Sequence, residues 1–300
     1  MKALKEVLAA FTAAALLTGC NDGIVKVDPN DPKINVDGIE IDLNETEKQY
    51  ETQKFTQMDF IFDTAKEVSE FGLDINSGSV TVEYSHDDKT GLALDYTVYA
   101  DTEEVCQEVK DHLNAITETK GSRMDIRIVE DKTQEDITEW LKKNIPDCRV
   151  ECDLYITVPE FVSSFDLKEY SGDLRLNGIK GKIKGDVTIG NISCTGSEFT
   201  GPSEITCNVG NISMSSCTYK ADTDISVKTG YISYGLPLSG SDGAKIGVRT
   251  ETGAIKVNGL KNYEVKNEKK KKTSHSLDID AENCNISFKV DNGEIKIDKE

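Results

Sequence analysis

Three carboxylates each precede an apolar position in successive stretches of the chain: Asp186 before Val187, Glu204 before Ile205 and Asp224 before Ile225. If the stretches stack as neighbouring strands, the carboxylates line up at ~5 Å intervals. That is the separation of the acid and nucleophile in retaining glycosidases, and oxygens so placed also suit Ca²⁺. The plainer expectation is a solvated row at a strand edge, with Lys245 on a fourth stretch relieving repulsion. No Asp-x-Asp-x-Asp-Gly loop accompanies the row. The three histidines, His86, His112 and His275, are far apart and supply little for a metal or acid–base site. No nucleophile–His–acid set, phosphate-binding glycine loop or zinc spacing is found. The expectation is no catalytic residue, no metal and no cofactor.

One cysteine has chemistry of its own. Lys2 and Lys5 open the chain, Val7 to Leu17 is almost wholly apolar, and Leu17-Thr18-Gly19-Cys20 follows. A basic start, a short apolar stretch and small residues before a cleavage point mark a secretory signal, and the stretch is too short to span a bilayer. The tetrapeptide resembles the bacterial lipobox, which implies lipidation of Cys20. Two or three acyl chains there would hold the protein firmly to a membrane. The expected location is the outer face of the cytoplasmic membrane or the cell surface. The polar, turn-rich residues after Cys20 read as a tether.

Of the eight cysteines, seven remain: Cys106, Cys148, Cys152, Cys194, Cys207, Cys217 and Cys284. An odd number leaves at least one unpaired. Most occupy apolar positions of alternating runs, which makes them small core residues, although one or two disulfides stay open outside the cytoplasm.

The elements that would carry these groups begin with a mixed α/β region over 55–160. Val80-x-Val82-x-Tyr84 and Leu92-x-Leu94-x-Tyr96-x-Val98 alternate with period two, and the turn between them predicts a hairpin. Asp101 with Glu104 predicts a capping box for a helix whose apolar face is Val105, Cys106, Val109, Leu113 and Ile116. His112 falls on its charged side, where water would solvate it. Met124-x-Ile126-x-Ile128 returns to strand. A second helix carries Ile137, Trp140, Leu141 and Ile145, and Pro146 ends it. Trp140, the only tryptophan, reads as core.

From residue 161 onward the chain repeats itself. Gly190-Asn191-Ile192-Ser193, Gly210-Asn211-Ile212-Ser213 and Gly230-Tyr231-Ile232-Ser233 recur at a spacing of 20. Related strings start at Gly172, Gly253 and Gly293. A unit this short cannot bury its own apolar face, but a stack of units can. The pattern predicts a mainly β protein with a C-terminal β-solenoid of roughly six ~20-residue coils, roughly 29 Å long. An antiparallel sandwich or barrel is the rival. In the solenoid, Ile192, Ile212, Ile232 and Ile255 form one interior ladder, and Cys194, Met214, Tyr234 and Val257 another. Outward rows follow: Asn191, Asn211 and Tyr231, then Ser193, Ser213 and Ser233. Stacked asparagines hydrogen-bond along the row; alternatively the rows offer a flat polar face to a glycan or protein. Asn191, Asn211 and Asn285 also begin glycosylation sequons, read here as products of the repeat. Lys269 to Lys272 interrupt the period as a surface loop. The segments are thus 1–19 signal, 20–54 lipidated Cys20 and tether, 55–160 α/β region and 161–300 solenoid.

The order of lipoprotein signal, strand hairpin, acidic helix, Leu154-Tyr155-Ile156-Thr157-Val158-Pro159-Glu160 and Ser171-Gly172-Asp173-Leu174-Arg175-Leu176, leading into the Gly-x-Ile repeats, resembles the bacterial putative-adhesin family of β-strand-repeat envelope proteins, a domain of unknown function. The resemblance spans roughly residues 55 to 300. It implies a right-handed or similar β-solenoid and an envelope role, and it carries over no catalytic residues. The cysteine-rich coils and the lysine-rich insertion depart from it.

The net charge of -19 is unevenly spread: -21 over residues 21–170 and +1 over 171–300. The acidic half would repel nucleic acid and anionic lipid; the near-neutral repeat leaves anionic glycans open. The composite expectation is a non-enzymatic, lipid-anchored envelope protein that contacts a wall polymer, glycan or surface protein, with no nucleic-acid partner. The alternatives are a carbohydrate-active β-helix enzyme using the carboxylate row, and an envelope-stress signalling accessory.

Overall fold

The computed structural model describes residues 27–28, 31–36, 39–42, 51–236, 244–258, 265–267, 274–277 and 284–299. The chain divides at residue 50 into two units. In the first, β1 (Val27–Asp28), β2 (Asp31–Val36) and β3 (Ile39–Asp42) form an antiparallel sheet. It falls within the stretch read as a tether. Val36 of β2 pairs with Ile39 of β3. Cys20, the apolar segment before it and the four-lysine run lie outside the described residues.

The second unit runs β4 (Glu51–Asp63), β5 (Glu70–Ser77), β6 (Val80–Tyr84), β7 (Lys89–Ala100), α1 (Glu103–His112), β8 (Leu113–Lys120), β9 (Arg123–Glu130), α2 (Ile137–Asn144) and β10 (Arg149–Val158). The repeat follows: β11 (Ser164–Asn177), β12 (Lys180–Thr195), β13 (Glu198–Phe199), β14 (Ser203–Ser215), β15 (Thr218–Tyr219), β16 (Thr223–Leu236), β17 (Ala244–Asn258), β18 (Val265–Asn267), β19 (Ser274–Leu277) and β20 (Cys284–Lys299). The unit is mainly β, and its sheet does not close on itself.

The long repeat strands pair parallel and in register, so that Gly172, Gly190, Gly210 and Gly230 stand side by side. Each strand has an arm before its glycine and an arm after it. Alternate side chains of both arms point inward. Val187, Cys207 and Val227 form one buried row, Ile192, Ile212 and Ile232 a second, and Cys194, Met214 and Tyr234 a third, none more than 1% exposed. Each such aliphatic side chain contributes roughly 1.5–3 kcal/mol by leaving water. Short third segments pair in the same way, Phe199 opposite Tyr219, with their rings stacked at 5.0 Å.

At its C-terminal end the stack departs from chain order. β16 pairs with β20, and β20 pairs with β17. The last strand is therefore inserted between two earlier ones, and the interior ladders run Ile232–Ile295–Ile255 and Tyr234–Ile297–Val257. The expected direct contact of Ile232 with Ile255 is not made. Hydrophobicity accounts for the order. β20 places Ile286, Phe288, Val290, Ile295 and Ile297 inward, all fully buried. β17 has Thr250 in the place of Val290, and its Ile255 and Val257 stay half-exposed. The more apolar strand takes the inner position.

At the other end the ladder starts before the repeat is visible in sequence. β5 and β6 pair parallel with the two arms of β11, and Gly78 stands in the glycine row. β10 then pairs parallel with β6 and antiparallel with β7, which pairs antiparallel with β4. On the first arm, β9 pairs parallel with β5 and antiparallel with β8. The predicted hairpin of residues 80–84 with 92–98 is thus replaced: β10 lies between them. Leu154 supplies the reason, meeting Val80 on one side and Leu94 on the other, so that β10 is apolar toward both.

The first helix is capped by Thr102, whose hydroxyl accepts from Val105 N at 3.4 Å, rather than by Asp101. It ends at His112. Leu113 and Ile116, expected on its apolar face, belong to β8, because pairing with β9 satisfies their backbone and buries Leu113 and Ala115. The second helix matches expectation and is capped by Asp136. Arg123 ties the ladder's start together: it reaches Glu70 on β5 at 2.5 Å, Asp166 on β11 at 3.0 Å and Asp125 on its own strand at 2.8 Å. It lies over Gly72, where a Cβ would come within 2.2 Å of the guanidinium. Cys106, Cys148, Cys152, Cys194, Cys207 and Cys217 are buried thiols outside any disulfide, as the core reading required.

The glycine row is the steric key to the stack. Gly210 has φ +144, and a Cβ on it would lie 1.6 Å from the carbonyl oxygen of Gly190. Gly196 has φ +61 but open space around it. Gly210→Ala should therefore lower stability by roughly 3 kcal/mol or more, through backbone clash plus strain. Gly196→Ala should cost only about 1–2 kcal/mol. Urea unfolding of the two variants checks this; equal losses would contradict the steric account.

Candidate binding face

The register decides the fate of the carboxylate row. Counted from the stacked glycines, Asp186 lies four residues before Gly190, whereas Glu204 and Asp224 lie six before theirs. Glu204 accordingly pairs with Lys184 on one side and Asp224 on the other, while Asp186 stands opposite Thr206. The three carboxylates do not form one line. Thr206 Oγ1 donates to Asp186 at 2.9 Å. Lys245 stands opposite Asn285, and Asp224 opposite Ser287, so Lys245 does not neighbour the row. A shallow groove of about 300 Å³ borders Asp186, Thr206, Asn208, Ser226, Lys228 and Lys289. Its charges are engaged internally, Lys289 with Asp291 at 2.7 Å. Among the described residues no three His, Cys, Asp or Glu side chains are grouped to hold a metal ion.

The second arms present a different surface. Asn191 Nδ2 donates to Asp173 Oδ1 at 2.9 Å, and Asn211 Nδ2 donates to Asn191 Oδ1 at 2.8 Å. The backbone N–H of Tyr231 then donates to Asn211 Oδ1 at 3.2 Å. The asparagine row is thus a ladder that spends its hydrogen bonds internally. Asp173 is further held by Arg175 at 2.8 Å.

The adjacent outward row is continuous across eight strands. Tyr155, Thr81, Arg175, Ser193, Ser213, Ser233, Lys296 and Lys256 follow one another in register, at about 4.8 Å per step. Among the described residues Ser193, Ser213 and Ser233 make no side-chain hydrogen bond within the protein. Tyr155 and Tyr231 are about half exposed, at 44% and 49%. The surface carries free hydroxyls, with the exposed ring of Tyr231 in the adjacent row and that of Tyr155 at the end of the serine row. This combination suits sugar hydroxyls and polar backbone, since a ring offers an apolar face with a polar edge.

Three groups escaped the sequence reading. The expectation that His112 is solvated is overturned: its Nδ1 lies 2.8 Å from Glu130 Oε1, and its ring stacks on Trp140 at 4.6 Å. Glu130 is buried and also accepts from Lys132 N, Thr133 N and Thr133 Oγ1. These bonds, that of His112 first, hold its carboxyl down at about 2. The cluster is a clasp that joins the ends of α1 and β9 to the middle of α2. Residues 18 and 28 apart in sequence cannot be matched by spacing alone. The second group is the Arg123 cluster. The third is Glu169, which occupies an inward position after Phe165 and Leu167, so strict alternation marks it. Burial, and after it the charge of Asp173, pushes its carboxyl up to about 8, with Arg175 opposing. Both its oxygens are buried without a partner, and a substrate has no access to them. It has the acidity of a general acid but not the placement.

No family model matches the chain, and no curated protein does. Among solved structures, it is similar to a putative cell adhesion protein from Clostridium sporogenes: 12% identity, TM-score 0.38, covering 81% of this chain and all of that one. A putative adhesin from Bacteroides fragilis gives 11% identity and TM-score 0.38 over 84% of this chain and 98% of that one. One from Parabacteroides merdae gives 11% and TM-score 0.23 over 85% and 97%. Likeness at this level establishes neither family membership nor activity.

The clasp makes a pH prediction. Glu130 is more acidic folded than its ordinary value of 4.5, so its stabilisation is present above about pH 4.5 and is lost as pH falls toward 2. Glu130→Gln should lower the urea midpoint at pH 7, and the gap to the parent should narrow below pH 4.5. Trp140 fluorescence reads both transitions. A gap that is constant with pH would show that the carboxylate charge is immaterial.

Proposed function

We propose that the chain is a non-enzymatic, lipid-anchored envelope protein, held through Cys20, whose Gly-cornered repeat winds as a β-solenoid and displays its second-arm face to a glycan, wall polymer or surface protein. The observation that carries this reading is the serine row: Ser193, Ser213 and Ser233 stand in register with free hydroxyls, with Tyr231 in the adjacent row and Tyr155 at the row's far end, beyond Arg175 and Thr81. Identical groups at a fixed spacing suit a polymer whose own units repeat, because many weak contacts add when their geometry matches. Asn191 and Asn211 keep the face rigid rather than bind. Asp186 is set off from the row, while Glu204 and Asp224 remain register neighbours; both are exposed, which supports reading them as surface charges. The Leu-Thr-Gly-Cys signal supports the anchor, and the near-neutral repeat suits an anionic or neutral polymer.

Two measurements test the reading. Glycan arrays and wall-polymer pull-downs with the whole chain should show binding. Ser193→Glu/Ser213→Glu/Ser233→Glu together should weaken it at least tenfold, while Glu204→Gln with Asp224→Asn leaves it unchanged. Absence of binding to every polymer and surface protein removes the adhesive role. Separately, Cys20→Ser should abolish fatty-acid labelling and release the protein from the membrane fraction; retained labelling would remove the anchor.

A further inference from the structure

The interior of the stack contains one acid where every neighbouring coil has a smaller or apolar residue. In register, Glu169 follows Ile75 of β5 and precedes Val187 of β12. The row continues through Cys207, Val227, Val290 and Thr250. Glu169 is 3% exposed, and neither carboxyl oxygen has a hydrogen-bond partner. Space for the carboxyl exists only because the corner beside it is Gly172, where a Cβ would lie 1.9 Å from Oε1.

No cation is committed to this carboxyl. The charged groups that act on it are Asp173 and Arg175 on its own strand and Asp153 on β10. Arg175 is already bound to Asp173 Oδ2, and Asp173 Oδ1 accepts from Asn191. Asp153 accepts from Ser79 N at 3.0 Å. From β5 and β12 the register neighbours are Ile75 and Val187, which carry no charge. Two of the three charges are negative, and the positive one is engaged. An ionised carboxylate without a partner inside such a row is unfavourable.

We propose that Glu169 is held as the uncharged acid and acts as a pH-operated latch on the β5–β11 junction, opening it when the proton is lost. The junction joins the first coil, and the strands paired beyond it, to the repeat. The direction follows from linkage: an acid that is weaker folded than unfolded stabilises at low pH, and that stabilisation is lost as pH rises. Burial raises the Glu169 carboxyl from 4.5 to about 8, which sets the window between these values and makes it widest above pH 8.

Amide hydrogen exchange on the whole chain, corrected for the intrinsic effect of pH, tests the latch. In peptides covering 70–84 and 164–177, the opening constant of the parent should rise roughly a hundredfold from pH 6 to pH 9, the linkage limit for a carboxyl that ionises once exposed. It should stay flat in Glu169→Gln and in Glu169→Val, the latter matching the Val187 row. An equal slope in parent and variants overturns the latch. If both variants fail to fold, infrared spectroscopy of the parent decides: a protonated carboxyl band at pH 6 that fades by pH 9 supports the proposal, and its absence at pH 6 overturns it.

Discussion

A carbonyl oxygen packed where a side chain would otherwise begin governs this protein. In the glycine row, Gly172, Gly190, Gly210, Gly230 and Gly293 each leave less than 2 Å between an imagined Cβ and the carbonyl oxygen of the glycine before it. The chain turns its corner there with φ near +145, a conformation that other residues rarely adopt. The corner brings two arms together at an angle, and the arms then bury Ile192, Ile212 and Ile232 on one side and Val187, Cys207 and Val227 on the other. The apolar ladders supply the free energy, and the glycines set the geometry in which the ladders can form.

A stack of parallel strands has two ends, and each needs covering. The N-terminal end is covered by strands that reverse direction: β7 and β4 beyond one arm, β8 beyond the other. Arg123 crosses three strands there. At the C-terminal end, the more apolar β20 lies inside β17, and β19 pairs antiparallel with Ile246 to Arg249 of β17. In both places the chain leaves its own sequential order so that the more apolar strand is flanked on both sides.

The outward rows divide into two kinds by hydrogen bonding. Asp173, Asn191 and Asn211 satisfy one another, which suits a row that stiffens the surface. The serines beside them do not, and they remain available to water or a partner. Residues of similar polarity and identical spacing therefore differ in what they can offer. Charge follows a comparable division: the acidic excess is confined to residues before 171, apart from the repeat.

The 20-residue period, the glycine at each corner, the interior ladders through Ile232 and Tyr234, the second helix and the buried character of the cysteines were all legible in the sequence. Each depends either on contacts between positions that the 20-residue period relates or on the local alternation of apolar and polar residues. What the sequence left undetermined depends on strands meeting out of order. The place of β20 inside β17, the entry of β10 between β6 and β7 and the meeting of His112 with Glu130 and Trp140 join residues that no period connects. The carboxylate row shows the same limit on a finer scale. Asp186, Glu204 and Asp224 share a local context, but the glycines set the register, and a two-residue offset from the corner moves a side chain to the next row. Glu169 was written in the alternation as an inward residue, yet only the packing of Ile75, Val187 and Gly172 around it decides that its carboxyl is buried without a partner. Local pattern determines which face a residue takes; tertiary register determines its neighbours, because strand pairing selects among many partners of equal local propensity.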